Sequence, residues 1–97
     1  MKILLVEDSK DIAEVIFDFF ELQHHELDYA MNGFQGYELS KSGHYDVIIL
    51  DVMLPGISGL EVCRKLRQEG FDTPILMLTA RDTNQDILNG FEEGADD

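Results

Sequence analysis

The amino-acid sequence predicts an α/β fold built on a doubly wound parallel sheet. Short apolar runs recur along the chain, and segments with helical spacing of apolar residues separate them. The third run, residues 47–50, is VIIL, and such a continuous apolar run is typical of a strand buried on both faces. Strands and helices that alternate in this way imply right-handed crossovers and a parallel sheet covered by helices on both faces.

The first strand–helix unit lies at the start of the chain. Residues 3–6, ILLV, predict a buried strand, and Ser9 is suited to the N-cap of the helix that follows. Asp11 and Glu14 are suited to the positive end of that helix. Its apolar residues at helical spacing are Ile12, Val15, Ile16 and Phe19. We expect most of the apolar surface of this helix to lie in the core.

The second unit is weaker than the first. Residues 26–30, ELDYA, alternate polar and apolar side chains, which is typical of an edge strand with one face in water. Asn32 and Gly33 then open a short helix that carries Phe34 and Tyr37 three positions apart. The pattern therefore predicts an edge strand followed by a short helix.

Two further units complete the chain. After the strand at residues 47–50, the segment from Ser58 to Glu61 has a capping-box pattern, and its helix should end near Gly70. Pro74 introduces a fourth strand at residues 75–78. The apolar residues that predict a last helix after this strand are Ile87, Leu88, Phe91 and Ala95.

Composition limits the classes of function. The chain has 97 residues, enough for one small domain, and no linker or repeat divides it, so we expect a single domain over residues 1–97. Its net charge of −13 argues against direct contact with nucleic acid or anionic lipid, and favours cation binding and a basic protein partner. No apolar stretch approaches the ~18 residues of a membrane span, so we expect a cytoplasmic protein.

Acidic residues follow two of the predicted strands. Glu7 and Asp8 follow the first, Asp51 follows the third, and Thr79 adds a hydroxyl after the fourth. Ligands bind beyond the carboxyl ends of the strands in such sheets, so neighbouring first and third strands would crowd three carboxylates into one cleft. Each acid could simply be a turn or cap residue, but Ser58 already caps the helix after Asp51. A bound hard cation, for which Mg²⁺ is suited, would relieve the repulsion.

Three segments carry a resemblance to a known family. "ILLVEDS", "DVIILDVMLPGISG" and "PILMLTA" resemble the receiver domain of two-component response regulators. "DVMLPGISGLEVCRKLR" and "LTARD" resemble most the OmpR/PhoB type, whose output is a winged-helix DNA-binding domain. The resemblance implies a flavodoxin-like, CheY-like sheet in which the strands lie in the order two, one, three, four.

The resemblance also implies roles for individual residues. Asp51 would accept a phosphoryl group from the histidine of a sensor kinase, which docks on the first helix in this family, and Thr79 would hydrogen-bond the phosphoryl group as a switch. The Pro55-Gly56 turn would let the loop after the strand expose Asp51. The implied Mg²⁺ ligands are Glu7, Asp8, Asp51 and the backbone carbonyl of Met53. The chain would be a phosphoacceptor that assists its own phosphorylation and dephosphorylation rather than an enzyme, and its output would be transcriptional.

The sequence departs from the family pattern at its end. Receivers have a fifth strand and helix, and "GADD" normally precedes that strand, whose end carries a lysine for the phosphoryl group. We therefore expect a receiver that is incomplete at its C-terminus and lacks the fifth β-α unit. Its fourth strand, residues 75–78, would then be an exposed apolar edge through which chains could self-associate.

Three alternatives remain open at this point. A flavodoxin-type nucleotide binder would need a phosphate loop rich in Ser, Thr or Gly, where this chain has Glu7-Asp8-Ser9 and no P-loop. A haloacid-dehalogenase-type phosphatase would need a second acid two positions after Asp51, where this chain has Met53. A half-receiver that serves only as an interaction or dimerisation module would need no metal, so metal binding discriminates it from a phosphoacceptor.

Overall fold

The computed structural model describes residues 1–78, which contain four strands and three helices. In chain order they are β1 (Lys2–Val6), α1 (Lys10–Leu22), β2 (Glu26–Ala30), α2 (Gly33–Ser42), β3 (Val47–Asp51), α3 (Gly59–Gln68) and β4 (Ile75–Leu78). The predicted last helix and Thr79 lie outside the described residues. Among the residues described, no helix combines the length and apolar character needed to cross a membrane.

The strands form one parallel sheet in the order β2-β1-β3-β4, which confirms the predicted fold class and strand order. β1 and β3 lie in the middle, while β2 and β4 form the two edges within the described part of the chain. On β2, Glu26 and Asp28 are exposed whereas Leu27 and Tyr29 are partly buried, as the alternating pattern predicted. Association of chains through β4 stays a prediction.

Helices cover both faces of the sheet. On one face Leu4 and Val6 of β1 pack with Ile48 and Leu50 of β3 beneath α2 and α3. On the other face Ile3, Leu5 and Ile49 pack against α1. The four apolar residues of β1 have no exposed surface, which explains why its sequence is apolar at successive positions rather than at alternate ones.

Polar caps begin the three helices at the predicted positions. The side chain of Ser9 accepts a hydrogen bond from the Ile12 N–H, and that of Ser58 accepts one from the Glu61 N–H. Asn32 caps α2 by accepting from the Gln35 N–H at 2.8 Å. These side chains satisfy backbone donors that lack a partner within the first turn of a helix, so they fix where each helix begins.

The prediction for the apolar face of α1 was wrong in part. Ala13 is buried, and Ile16, Phe17 and Phe20 pack with it against the sheet. Four other apolar side chains point away from the sheet and form an exposed surface, the α1 stripe, which consists of Ile12, Val15, Phe19 and Leu22. Both sets follow helical spacing, but the small Ala13 and the edge-on contact of Phe17 with Tyr29, 5.9 Å between ring centroids, select the buried one.

Candidate metal centre

The sheet places two acidic residues side by side at its carboxyl edge. β1 and β3 pair in parallel with Val6 opposite Leu50, so Glu7 and Asp51 occupy the next positions of neighbouring strands. The Glu7 N–H donates to the Ala30 carbonyl at 3.0 Å, which holds the end of β1 against β2. Regular strand geometry thus delivers both carboxylates to one place.

Three carboxylates converge here. Oxygen atoms of Glu7, Asp8 and Asp51 lie within 4.8 Å of one another. Glu7 is only 2% exposed and Asp51 only 6% exposed, whereas Asp8 is exposed to solvent. The cluster therefore consists of two buried acids with a third at the surface, and its negative charge is only partly hydrated.

Burial changes the proton affinity of the inner pair. Burial, together with the hydrogen bond to Asp51, raises the pKa of Glu7 to about 7, although the Ser9 N–H, which donates to Glu7 Oε2 at 2.9 Å, opposes the rise. Burial also raises the pKa of Asp51, while hydrogen bonds from Met53 and Glu7 oppose that rise. The pair therefore holds one proton more tightly than separate carboxylic acids would, because burial and the repulsion between adjacent carboxylates both disfavour the doubly ionised form.

The loop after β3 folds back onto Asp51. The Met53 N–H donates to Asp51 Oδ1 at 3.0 Å, and the Gly59 N–H donates to the Val52 carbonyl at 3.0 Å. Gly56 has a φ of +84°, so the turn after Pro55 uses backbone that favours glycine. The predicted turn is present, and Pro55 and Gly56 are both exposed.

Sequence reasoning missed three residues that support the pair. The Tyr29 hydroxyl donates to the Glu7 backbone carbonyl at 2.7 Å, and Ser9 supplies the N–H bond to the Glu7 carboxylate. A Cβ at Gly59 would lie 2.0 Å from the Asp51 carbonyl oxygen, so only glycine fits there. The one available sequence signal was this glycine directly after the Ser58 N-cap, since glycine is a poor helix former.

An open cleft surrounds the acidic cluster. Its walls are formed by Glu7, Asp8, Ser9, Ile12, Asp51, Met53 and Leu78. Three of these, Ile12, Met53 and Leu78, are apolar. The donor set is made of oxygen alone, which suits a hard cation such as Mg²⁺. Burial and mutual repulsion both raise the pKa values of the inner acids, and a bound cation would oppose both effects. The residues present therefore fit a divalent metal site.

Comparison with known protein families gives a match over nearly the whole chain. A family model described as the response regulator receiver domain matches residues 3–97. The transcriptional regulatory protein DltR of Streptococcus agalactiae is 43% identical over 97 residues, and the match covers 100% of this chain and 43% of DltR. The transcriptional regulatory protein CusR of Escherichia coli is also 43% identical over 97 residues, with the same coverage of 100% and 43%. This chain therefore spans less than half the length of these relatives.

Solved structures give the same result for the fold. The receiver domain of the Francisella response regulator 1452 superposes with a TM-score of 0.93 at 32% identity, covering 99% of this chain and 79% of that one. The response regulator TrrA of Thermotoga maritima, solved in complex with Mg²⁺-BeF, superposes with a TM-score of 0.86 at 37% identity, covering 98% of this chain and 81% of that one.

Proposed function

We propose a function from one premise: this chain belongs to the family of response regulator receiver domains. In this proposal Asp51 accepts a phosphoryl group from the histidine of a sensor kinase, and the change at Asp51 switches a transcriptional output. The observation that carries it is the carboxylate of Asp51 at the end of β3, with oxygens of Glu7 and Asp8 within 4.8 Å. An interaction-only module would leave this cluster without a role. A haloacid-dehalogenase-type phosphatase would need a second acid where Met53 stands, and a flavodoxin-type nucleotide binder would need a phosphate loop in place of Glu7-Asp8-Ser9.

Asp51 would act as the nucleophile. One of its carboxylate oxygens attacks phosphorus and forms an O–P bond, the bond from phosphorus to the donor's histidine nitrogen breaks, and that nitrogen keeps the electron pair. The attack requires an ionised Asp51. In the metal-free cleft, the hydrogen bond from Glu7 opposes the rise that burial causes in the pKa of Asp51, and bound Mg²⁺ would favour the ionised form once Glu7 has lost its proton. Asp51 is consumed as the acceptor, so the chain is as much a substrate as a catalyst.

Four groups would hold Mg²⁺: the carboxylates of Glu7, Asp8 and Asp51, and the backbone carbonyl of Met53. Bound there, the ion would offset the negative charge of the carboxylates and of the incoming phosphoryl group. Met53 lines the cleft, and its N–H already bonds Asp51, which keeps its backbone beside that carboxylate. Thr79, which lies outside the described residues, would donate a hydrogen bond to the phosphoryl group.

The α1 stripe is the proposed docking surface for the kinase. Val15 is 69% exposed and Leu22 82% exposed, and Ile12 belongs both to this stripe and to the wall of the cleft. A helix that covers the stripe would therefore reach Asp51.

The exposed acids that accompany the stripe on α1 are Asp11, Glu14, Asp18 and Glu21. They favour a partner with basic residues and disfavour a second copy of this chain, whose net charge is −13. Because this negative charge repels DNA, any contact with DNA would be made by a separate output domain.

The test of the function is phosphorylation by a small donor. Incubation with acetyl phosphate and MgCl₂ should add one phosphoryl group, because the cleft itself supplies the nucleophile and the metal ligands. Intact-mass spectrometry would detect the addition, and reduction of the acyl phosphate with borohydride before peptide mapping would place it on Asp51. Removal of the metal with EDTA should prevent the reaction. Acceptance on a different residue, or acceptance that is unaffected by EDTA, would contradict the proposal.

A second prediction separates docking from chemistry. Phe19→Ala removes a ring of the α1 stripe that is 55% exposed, so it should slow transfer from a phosphorylated sensor kinase but not transfer from acetyl phosphate. Loss of a central interface aromatic costs about 2 kcal/mol, or ~30-fold in affinity. The measurement is the ratio of the two transfer rates in parent and variant, with purified kinases of the source organism as donors. An unchanged ratio would place the kinase elsewhere on the surface.

A further inference from the structure

The first turn of α2 touches the loop between β3 and α3, residues 52–58, here named the β3–α3 loop. Gly33 is buried, and a Cβ at this position would lie 2.3 Å from the Ile57 carbonyl oxygen and 2.7 Å from Ile57 Cγ1. No side chain fits between the helix and the loop, so the backbone of α2 is in direct contact with the backbone of the loop. The Ile57 side chain in turn packs against the core beneath α2 and α3. The end of the loop is therefore placed by α2.

The next residue of α2 contacts the tip of the same loop. A Cβ at Gly56 would lie 2.8 Å from Phe34 Cε2 and 3.0 Å from Phe34 Cδ2, so the ring lies against the turn. Phe34 is 57% exposed, and burial in the core does not account for its position. The ring covers the one turn in the β3–α3 loop that uses a positive φ, and that turn follows Met53 and Pro55 closely in the chain.

α2 also contacts the other half of the cleft. A Cβ at Gly36 would lie 2.6 Å from Cγ1 of Val6, the residue that immediately precedes Glu7. The helix is therefore held against the end of β1 by Gly36 and against the β3–α3 loop by its first turn. Glu7 and Asp8 directly follow β1, and the proposed ligand Met53 lies in the β3–α3 loop, two residues after Asp51. α2 therefore contacts, from outside the cleft, the segments that carry or adjoin the proposed ligands.

We infer that the first turn of α2 is a brace that sets the metal affinity of the cleft, with Phe34 as a positioning residue acting through Gly56 and Met53. The inference deepens the proposed function and rests on it, because it requires that the cleft bind Mg²⁺. With the ring in place, the turn holds the Met53 backbone at one distance from Asp51. Without the ring, the loop has more conformations. Ordering it on metal binding then costs more entropy, so the affinity for Mg²⁺ falls.

The test compares Mg²⁺ affinity in three variants by isothermal titration calorimetry. Phe34→Ala should weaken binding about 10-fold, the lower end of the effect of groups that support metal ligands. Phe34→Tyr keeps the ring and should restore the parent affinity. Gly43→Ala is the control at the other end of α2, where a Cβ would lie 2.5 Å from the ring of Tyr45, so it perturbs the helix far from the loop and should leave Mg²⁺ affinity unchanged.

Phosphorylation gives a second readout that a purely structural role would not produce. In Phe34→Ala the rate with acetyl phosphate should be low at limiting MgCl₂ and return to the parent rate at saturating MgCl₂. If the parent binds Mg²⁺ and Phe34→Ala binds it equally well, or if Phe34→Tyr is as weak as Phe34→Ala, the brace is refuted while the proposed function stands. If the parent itself binds no Mg²⁺, the proposed function fails and the brace fails with it.

Discussion

Asp51→Asn will abolish phosphoryl acceptance and will also raise the free energy of unfolding of the metal-free protein. The first effect follows because an amide oxygen does not form the acyl phosphate. The second follows because Asp51 is 6% exposed and lies beside Glu7, so the substitution removes one of two repelling buried charges. Unit charges about 5 Å apart at an effective dielectric constant of about 20 repel by ~3 kcal/mol. We expect the free energy of unfolding to rise by about that amount at pH values where Glu7 is ionised.

Two control substitutions separate the chemistry from the charge. Glu7→Gln also removes a buried acid but keeps the nucleophile, so it should still accept a phosphoryl group, more slowly and with weaker Mg²⁺ binding. Asp72→Asn removes the same formal charge from an exposed position and should change neither property. Acceptance is measured by intact mass and stability by urea unfolding in EDTA. Stoichiometric phosphorylation of Asp51→Asn would show that the acceptor is another residue.

The convergence of the acids was predictable because the central strands leave little choice. β1 and β3 are apolar at successive positions, which requires burial on both faces and hence a central place in a parallel sheet. Once they are neighbours, their carboxyl ends lie at one edge, and the residues that follow must meet there. The structure accordingly brings Glu7, Asp8 and Asp51 together within 4.8 Å.

The buried face of α1 was not predictable from spacing alone. The stripe that begins at Ile12 and the set that begins at Ala13 both recur with helical period, and the helix can turn only one of them to the sheet. The choice depends on Tyr29 of β2, whose ring meets Phe17 edge-on, and on the close approach that Ala13 permits. These are contacts between elements, and periodicity within one helix carries no information about them.

The contact between α2 and the β3–α3 loop was hidden for a similar reason. Gly33 looked like part of a turn that opens a helix, and Gly56 like part of a turn that leaves a strand. Each local interpretation was sound, since Asn32 caps α2 and Gly56 adopts a positive φ. The sequence does not show that a Cβ at the first would strike Ile57, or that Phe34 covers the second. Such contacts depend on how α2 is placed across the sheet.

Glu7 should make the stability of the metal-free protein depend on pH. Burial raises its pKa from 4.5 to about 7, so the folded chain holds this proton more tightly than the unfolded chain does. The stabilisation is then complete below pH 4.5 and is lost as pH rises through about 7. The difference between the two pKa values corresponds to about 3 kcal/mol in the free energy of unfolding. Stability should therefore fall between these two pH values even though the rest of the fold is unchanged.

Mg²⁺ should reverse this dependence, because the ion and the proton compete for the same buried carboxylates. Urea unfolding across this pH window, with EDTA or with MgCl₂, measures both effects. In EDTA the parent should lose stability as pH rises, and the stabilisation by MgCl₂ should grow over the same interval, since binding adds to stability only as the ligands ionise. Glu7→Gln cannot ionise and should remove this part of the pH slope in EDTA, while Asp72→Asn should keep it. A slope in Glu7→Gln equal to that of the parent would assign the pH dependence to other groups and leave Glu7 ionised in the folded chain.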